Sequence, residues 1–158
     1  MLEGSEVLAV IPARYASTRL PGKPLALIAG KPMIQHVWER VSAVLPAVVA
    51  TDDARIAEVV YSFGGRVRMT AVDCPNGTAR VAEVLANWEG PRPEIVLNVQ
   101  GDEPFIQPAL LDGLIARWKE TRCPLVTAVS RITTAERLLA PSVVKVVRAE
   151  NGEAIYFS

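Results

Sequence analysis

The chain predicts an α/β fold of the doubly wound kind, with a mostly parallel central sheet and a β-hairpin near its C-terminal end. Three observations carry this: short apolar runs of strand length, amphipathic stripes of helical period between them, and glycine or proline where one gives way to the next. Strands covered on both faces read as unbroken apolar runs rather than as alternation, which places residues 7–11 and 95–99 inside a parallel sheet.

Residues 7–11 make the first strand, and Pro12, which has no N–H to offer, is expected to stop its pairing. Ile34, Val37, Trp38 and Val41 then recur at helical spacing, and Val48 and Val49 mark the second strand. Thr51-Asp52-Asp53 supplies polar caps for a helix whose buried stripe is Ile56, Val59, Val60 and Phe63, closed by Gly64-Gly65. Residues 67–69 form a short third strand. A further stripe, Val81, Val84, Leu85 and Trp88, leads through Gly90-Pro91 to the strongest strand at 95–99. Leu110, Leu111, Leu114, Ile115 and Trp118 make the next helix, and a strand is expected over 125–129. Strands over 143–147 and 154–157 meet around Asn151-Gly152, a hairpin turn pair. Crossovers between parallel strands are right-handed. With no repeat, low-complexity stretch or extended linker, the 158 residues read as a single domain.

Composition removes several classes of function. Seventeen basic residues balance 17 acidic ones, so no net field favours nucleic acid or an anionic membrane surface. No apolar run approaches the ~20 residues that span a bilayer, and the N-terminus lacks a secretory pattern. Cys74 and Cys123 stand far apart without a C-x-x-C or histidine partner, and read as free thiols of a reducing, cytoplasmic compartment. His36, the only histidine, reads as an ordinary half-buried side chain, and the three tryptophans as core anchors.

The chemistry concentrates in two places. Behind the first strand runs Ile11-Pro12-Ala13-Arg14-Tyr15-Ala16-Ser17-Thr18-Arg19-Leu20-Pro21-Gly22-Lys23-Pro24. In open parallel sheets ligands sit outside the carboxyl ends of the strands, so the loop from Pro12 and Ala13 to Pro24 is expected to line a crevice there. Arg14 and Arg19 can fork onto phosphate oxygens, Lys23 supplies a point charge, and Ser17, Thr18 and Gly22 let backbone amides approach an anion. The alternative is a solvated basic loop. Neither G-x-x-x-x-G-K-[ST] nor G-x-G-x-x-G is present. The second place is Asn98-Val99-Gln100-Gly101-Asp102-Glu103-Pro104, at the end of the strongest strand. Asp102 offers the hard oxygen that Mg²⁺ prefers, Gln100 an amide for a base or ribose, and Glu103 a structural role. The competing reading of Asp102 is a helix cap or a turn former, which Asp-x-Pro sequences often supply.

Taken together, these motifs closely resemble those of the sugar cytidylyltransferases, in the branch that acts on 3-deoxy-manno-octulosonate (Kdo). The likeness runs from about Val7 to Ser158 and takes in Gly30-Lys31-Pro32-Met33-Ile34, Ala50-Thr51-Asp52 and Ala154-Ile155-Tyr156-Phe157-Ser158. It implies a Rossmann-like sheet of the nucleotide-diphospho-sugar transferase type. It also implies transfer of a cytidylyl group from CTP to Kdo, giving CMP-Kdo and pyrophosphate for lipopolysaccharide assembly, with Mg²⁺ on Asp102. Asp73-Cys74-Pro75-Asn76-Gly77-Thr78-Ala79-Arg80 resembles the family's S-G-T-x-R turn around cytosine and ribose, with Asn76 in place of Ser and Ala79 in place of an acidic residue. Gly77 and Thr78 are thereby implied in nucleotide binding. Arg80 has two readings, reaching the nucleotide or lying on the helix surface. The catalytic set implied is Arg14, Lys23 and Asp102, and no side-chain base is evident.

The chain stops on an apolar strand, which reads as a C-terminal truncation of a longer family fold. The resemblance places the second metal-binding carboxylate, much of the sugar pocket and the contacts of a full-length homodimer beyond Ser158. Two alternatives follow: a non-catalytic CTP-binding fragment, or a related nucleotidyltransferase for another acidic sugar.

Overall fold

The computed structural model describes residues 6–16 and 20–158, so the expectations for Ser17, Thr18 and Arg19 lie outside the described residues. The chain divides into two compact units, Met1–Ile115 and Ala116–Ser158.

In the first unit the apolar runs form one parallel sheet of β1 (Val7–Ala13), β4 (Ala47–Thr51), β5 (Val67–Met69) and β6 (Ile95–Asn98), in the order β5-β4-β1-β6. A two-residue ladder of β2 (Leu27–Ile28) and β3 (Lys31–Pro32) leads into α1 (Met33–Ser42). The helices α2 (Ala54–Ser62) and α3 (Gly77–Ala86) follow β4 and β5. From β1 the chain winds outward to β4 and β5, then returns to place β6 on the other side of β1. That reversal between β1 and β6 is where open α/β sheets bind ligands.

Strand alternation assigns the two faces. Leu8 and Val10 of β1 and Val48 and Ala50 of β4 pack with Val81 and Val84 of α3, and Trp88 rests against this cluster. Ala9, Ile11 and Val49 face the other way, toward the side covered by Ile34, Val37 and Val41 of α1 and Ile56, Ala57 and Val60 of α2. Each of these larger aliphatic side chains contributes about 1.5–3 kcal/mol by leaving water. The stripe expected on α2 shifts slightly: Ala57 is buried, while Val59 and Phe63 are half-buried. Asp53 caps α2 by accepting the Arg55 N–H at 3.0 Å, and Gly64, at φ 80°, ends it.

The expectation that Pro12 stops the first strand is overturned, because β1 runs through it to Ala13, paired with Thr51. Ala9 N–H bonds toward β4 at the Pro46 carbonyl, whereas the Val10 carbonyl accepts from Val99 on the β6 side. By alternation Pro12 faces the β6 side, where pairing has already ended at Val10 and Asn98. Its missing N–H therefore breaks no ladder bond.

α4 (Pro108–Thr121) spans the division between the units, and of its predicted stripe only Leu111 is fully buried. The second unit holds α5 (Ala135–Leu139) and the hairpin of β7 (Val146–Arg148) and β8 (Ala154–Phe157), with a register shift between Val147 and Arg148. Asn151 and Gly152 make its turn, Gly152 at φ 91° and the Asn151 side chain accepting the Glu153 N–H. β7 thus begins three residues later than expected. The strand expected over 125–129 does not form. Apolar composition alone makes no strand without a neighbour to pair with, and none of the described strands is hydrogen-bonded to this segment in a ladder.

Candidate functional site

At the carboxyl ends of β1 and β6 the first unit opens a cavity of about 510 Å³. One wall is Pro12, Ala13 and Arg14 continuing β1, with Lys23 beyond; the facing wall is Gln100, Gly101 and Asp102; the third is the entry to α3 at Asn76 and Gly77. Three segments far apart in sequence converge because glycines let them. A Cβ on Gly101 would stand 2.7 Å from the Pro12 carbonyl oxygen, and one on Gly77 would stand 3.2 Å from the Pro12 ring. Gly101 therefore carries a packing requirement that its place in the motif did not reveal.

The basic loop is pinned at both ends. The Tyr15 carbonyl accepts the Gly22 N–H at 2.9 Å, and Gly22, at φ 69°, leaves its missing Cβ to the Tyr15 ring. Arg55, in the first turn of α2, stacks its guanidinium 3.4 Å from the Tyr15 ring centroid while forking onto Asp53. That fork holds the Asp53 carboxyl below its usual range. Gly22 then starts a single 3₁₀ turn, Lys23–Leu25, anchored by buried Pro24. Lys23 is so aimed across the cavity that its Nζ donates to Asp102 Oδ2 at 2.6 Å. Arg14 is exposed on the same lip.

On the facing wall Gln100 Nε2 donates to Asn98 Oδ1 (3.2 Å), and Asn98 Nδ2 donates to Thr78 Oγ1 (3.3 Å), a polar chain that joins the end of β6 to the first turn of α3. Asn98 was not singled out from sequence, although it opens the quoted motif. Asp102 caps no helix, since α4 begins at Pro108; the turn here closes from the Glu103 N–H to the Gln100 carbonyl. Asn76, the departure from Ser, serves as N-cap of α3, accepting the Ala79 N–H at 2.9 Å.

Arg80 corrects the helix-surface reading. Its side chain is only 3% exposed and pairs with Asp52 at 3.2 Å, while Nη1 donates to Thr70 Oγ1 and to the Ala71 carbonyl. One turn on, Glu83 accepts the Ala71 N–H and the Cys74 thiol, both below 3 Å. This bond, reinforced by burial and by the carboxylate's charge, pushes the Cys74 thiol up, and the same bond followed by that of Ala71 holds Glu83 down. Arg80 and Glu83 together clamp the segment that forms the third wall, roles that neither residue type nor spacing announced. Cys74 and Cys123 are free, and His36 is spent on a 2.8 Å bond to the Ile28 carbonyl.

The donor set on one side is cationic, and on the other it offers an amide and one carboxylate. Mg²⁺ is commonly held by one or two carboxylates plus substrate phosphates, and Asp102, which accepts a cation in the Lys23 ammonium, is the residue that would hold it. Among the described residues no group of three or more acidic, cysteine or histidine side chains could hold a metal by itself. Among them also, no helix is long and apolar enough to cross a membrane.

Residues 8–158 match the family model described as cytidylyltransferase. The chain is 50% identical over 157 residues to a 3-deoxy-manno-octulosonate cytidylyltransferase of Geobacter metallireducens, and 53% identical over 156 residues to that of Geobacter sulfurreducens. These alignments cover 97% and 96% of the chain, which spans 61% of the length of each of these curated relatives. A solved structure of CMP:2-keto-3-deoxy-manno-octonic acid synthetase complexed with CTP superposes with a TM-score of 0.84 at 44% identity, covering 98% of the chain and 64% of that structure.

Proposed function

Because the chain belongs to the cytidylyltransferase family, we propose that its cavity is the CTP site of an enzyme that transfers a cytidylyl group from CTP to Kdo, releasing CMP-Kdo and pyrophosphate for lipopolysaccharide assembly. The observation that carries this reading is the pairing of a cationic lip, Arg14 and Lys23, with a lone carboxylate, Asp102, across the β1 and β6 ends. That is the arrangement a metal-bound triphosphate needs. The similarity to relatives of this activity, near 50% identity, supports the choice of nucleotide and sugar.

The anomeric hydroxyl of Kdo attacks the α-phosphorus in line, and pyrophosphate leaves. Such a step needs positioning and charge neutralisation more than covalent chemistry. Arg14 and Lys23 hold the β and γ phosphates and take up the charge that collects on pyrophosphate, with Arg19 assigned the same task from sequence. Pro12, Ala13 and Gly77 let the nucleotide lie against backbone, Gln100 and Thr78 orient base and ribose, and Arg80 acts from behind by holding the third wall. Asp102 is the residue that would hold Mg²⁺, which when bound screens phosphate charge and acidifies the attacking hydroxyl. A cytoplasmic setting goes with two unpaired cysteines, and a homodimer with the full-length family member.

The test is pyrophosphate release from this chain with CTP, Mg²⁺ and Kdo, alongside calorimetric titration with CTP. Kdo-dependent release is the expected result for a complete site. CTP binding without release fits the second reading, a nucleotide-binding module that does not carry out the transfer. Absence of CTP binding would remove both.

A further inference from the structure

We propose that Lys23 is the resident cation of Asp102 before substrate arrives, and that nucleotide and metal binding are coupled by its transfer from that carboxylate to phosphate. The inference rests on the reading of the cavity as a CTP site and concerns the order in which that site fills. Lys23 and Asp102 stand 79 positions apart and meet at 2.6 Å, so this contact is made by the fold and not by local chain geometry. The two side chains are 36% and 52% exposed. A pair so wetted opens easily, since exposed ion pairs gain little over separate hydration.

The chemistry of the partners suits exchange. The Lys23 backbone is fixed by the 3₁₀ turn and buried Pro24, but its charge rides on a flexible four-carbon stem. It bonds one carboxylate oxygen only, Oδ2. A carboxylate already neutralised by an ammonium presents little attraction to a divalent cation, and no other acidic cluster among the described residues offers a substitute. Equally, an ammonium held by Asp102 is not free for phosphate. Each ligand therefore removes the obstacle to the other: a triphosphate on the Arg14 lip draws Lys23 across, and Asp102 is left open. Linkage makes the effect reciprocal.

Two binding measurements without catalysis decide the matter, using Mn²⁺ as the probe and paramagnetic resonance of free Mn²⁺ as the readout. Lys23→Met should bind Mn²⁺ alone about tenfold tighter than the unmodified chain, a typical coupling factor. Arg14→Met removes the same charge from the same cavity without touching Asp102, and should change Mn²⁺ affinity by no more than about twofold, the general electrostatic effect at this screening. In the second measurement, with chelator and no metal, Asp102→Asn should tighten CTP, and by more in the Lys23 background than in Lys23→Met. Under Mn²⁺ the same variant should weaken CTP. Equal Mn²⁺ gains in Lys23→Met and Arg14→Met, or no gain in either, would overturn the exchange, as would an Asp102→Asn effect independent of Lys23. Failure of every form to bind CTP would instead sink the CTP reading, while the Mn²⁺ comparison would still judge the pair.

Discussion

At the scale of single residues, the least replaceable charge of the cavity is Arg80, because the fold buries it among partners. Its guanidinium is 3% exposed and satisfies Asp52, Thr70 and Ala71 at once, whereas Asp52 keeps one buried oxygen, Oδ1, without a partner among the described residues. Removing one member of a buried pair strands the other, at a cost of about 3–5 kcal/mol, while removing both charges leaves nothing to strand. Arg80→Met is therefore expected to lower stability by about 3 kcal/mol, read as a fall in the urea midpoint, and Asp52→Asn added to it should recover part of the loss. A double variant no more stable than the single one would mean that the pair does not hold this wall. From sequence Arg80 has two readings, reaching the nucleotide or lying on the helix surface, and nothing local to the helix separates them. Only the fold brings Asp52 from the end of a neighbouring strand beneath it.

At the scale of elements, the helices and central strands were readable because their signals are local: period, caps and glycine stops sit within one element. α3 illustrates this. Asn76 stands at its start, and its side chain accepts an N–H of the first turn. Asn76→Ala should then cost about 1 kcal/mol by urea unfolding, the usual worth of such a cap. It should also weaken CTP, because the capped turn is a cavity wall. A stability loss with unchanged CTP affinity would detach this turn from the nucleotide. The site's cations and carboxylate were likewise legible as residue types at strand ends. What escaped was pairwise and long-range: Lys23 with Asp102, Arg80 with Asp52, Tyr15 beneath Arg55. Residues 125–129 failed for the complementary reason, since strand propensity is a statement about neighbours that a single segment cannot supply.

At the scale of the whole chain, the two compact units differ in how their backbone is protected. The first unit buries β4 throughout and β1 except at Pro12: Ala9, Val10, Ile11, Val49 and Ala50 are fully buried, and their amides lie between strands and beneath helices. In the second unit α5 has no buried residue, and every residue of β8 is exposed, including Ile155, Tyr156 and Phe157 at 50–68%. A hairpin of two short strands, one carrying a register shift, is marginal by itself in water. Amides exchange through the cheapest opening available to them, so local burial sets a ceiling on protection. Native-state hydrogen exchange should accordingly show the amides of β1 and β4 exchanging only with global unfolding, tracking urea as the full transition does. Those of β7 and β8 should exchange orders of magnitude faster, with almost no dependence on urea, because opening the hairpin exposes little new surface. Exchange of both sets at one rate with one urea slope would show that the 158 residues unfold as a single cooperative body, the arrangement expected of one domain.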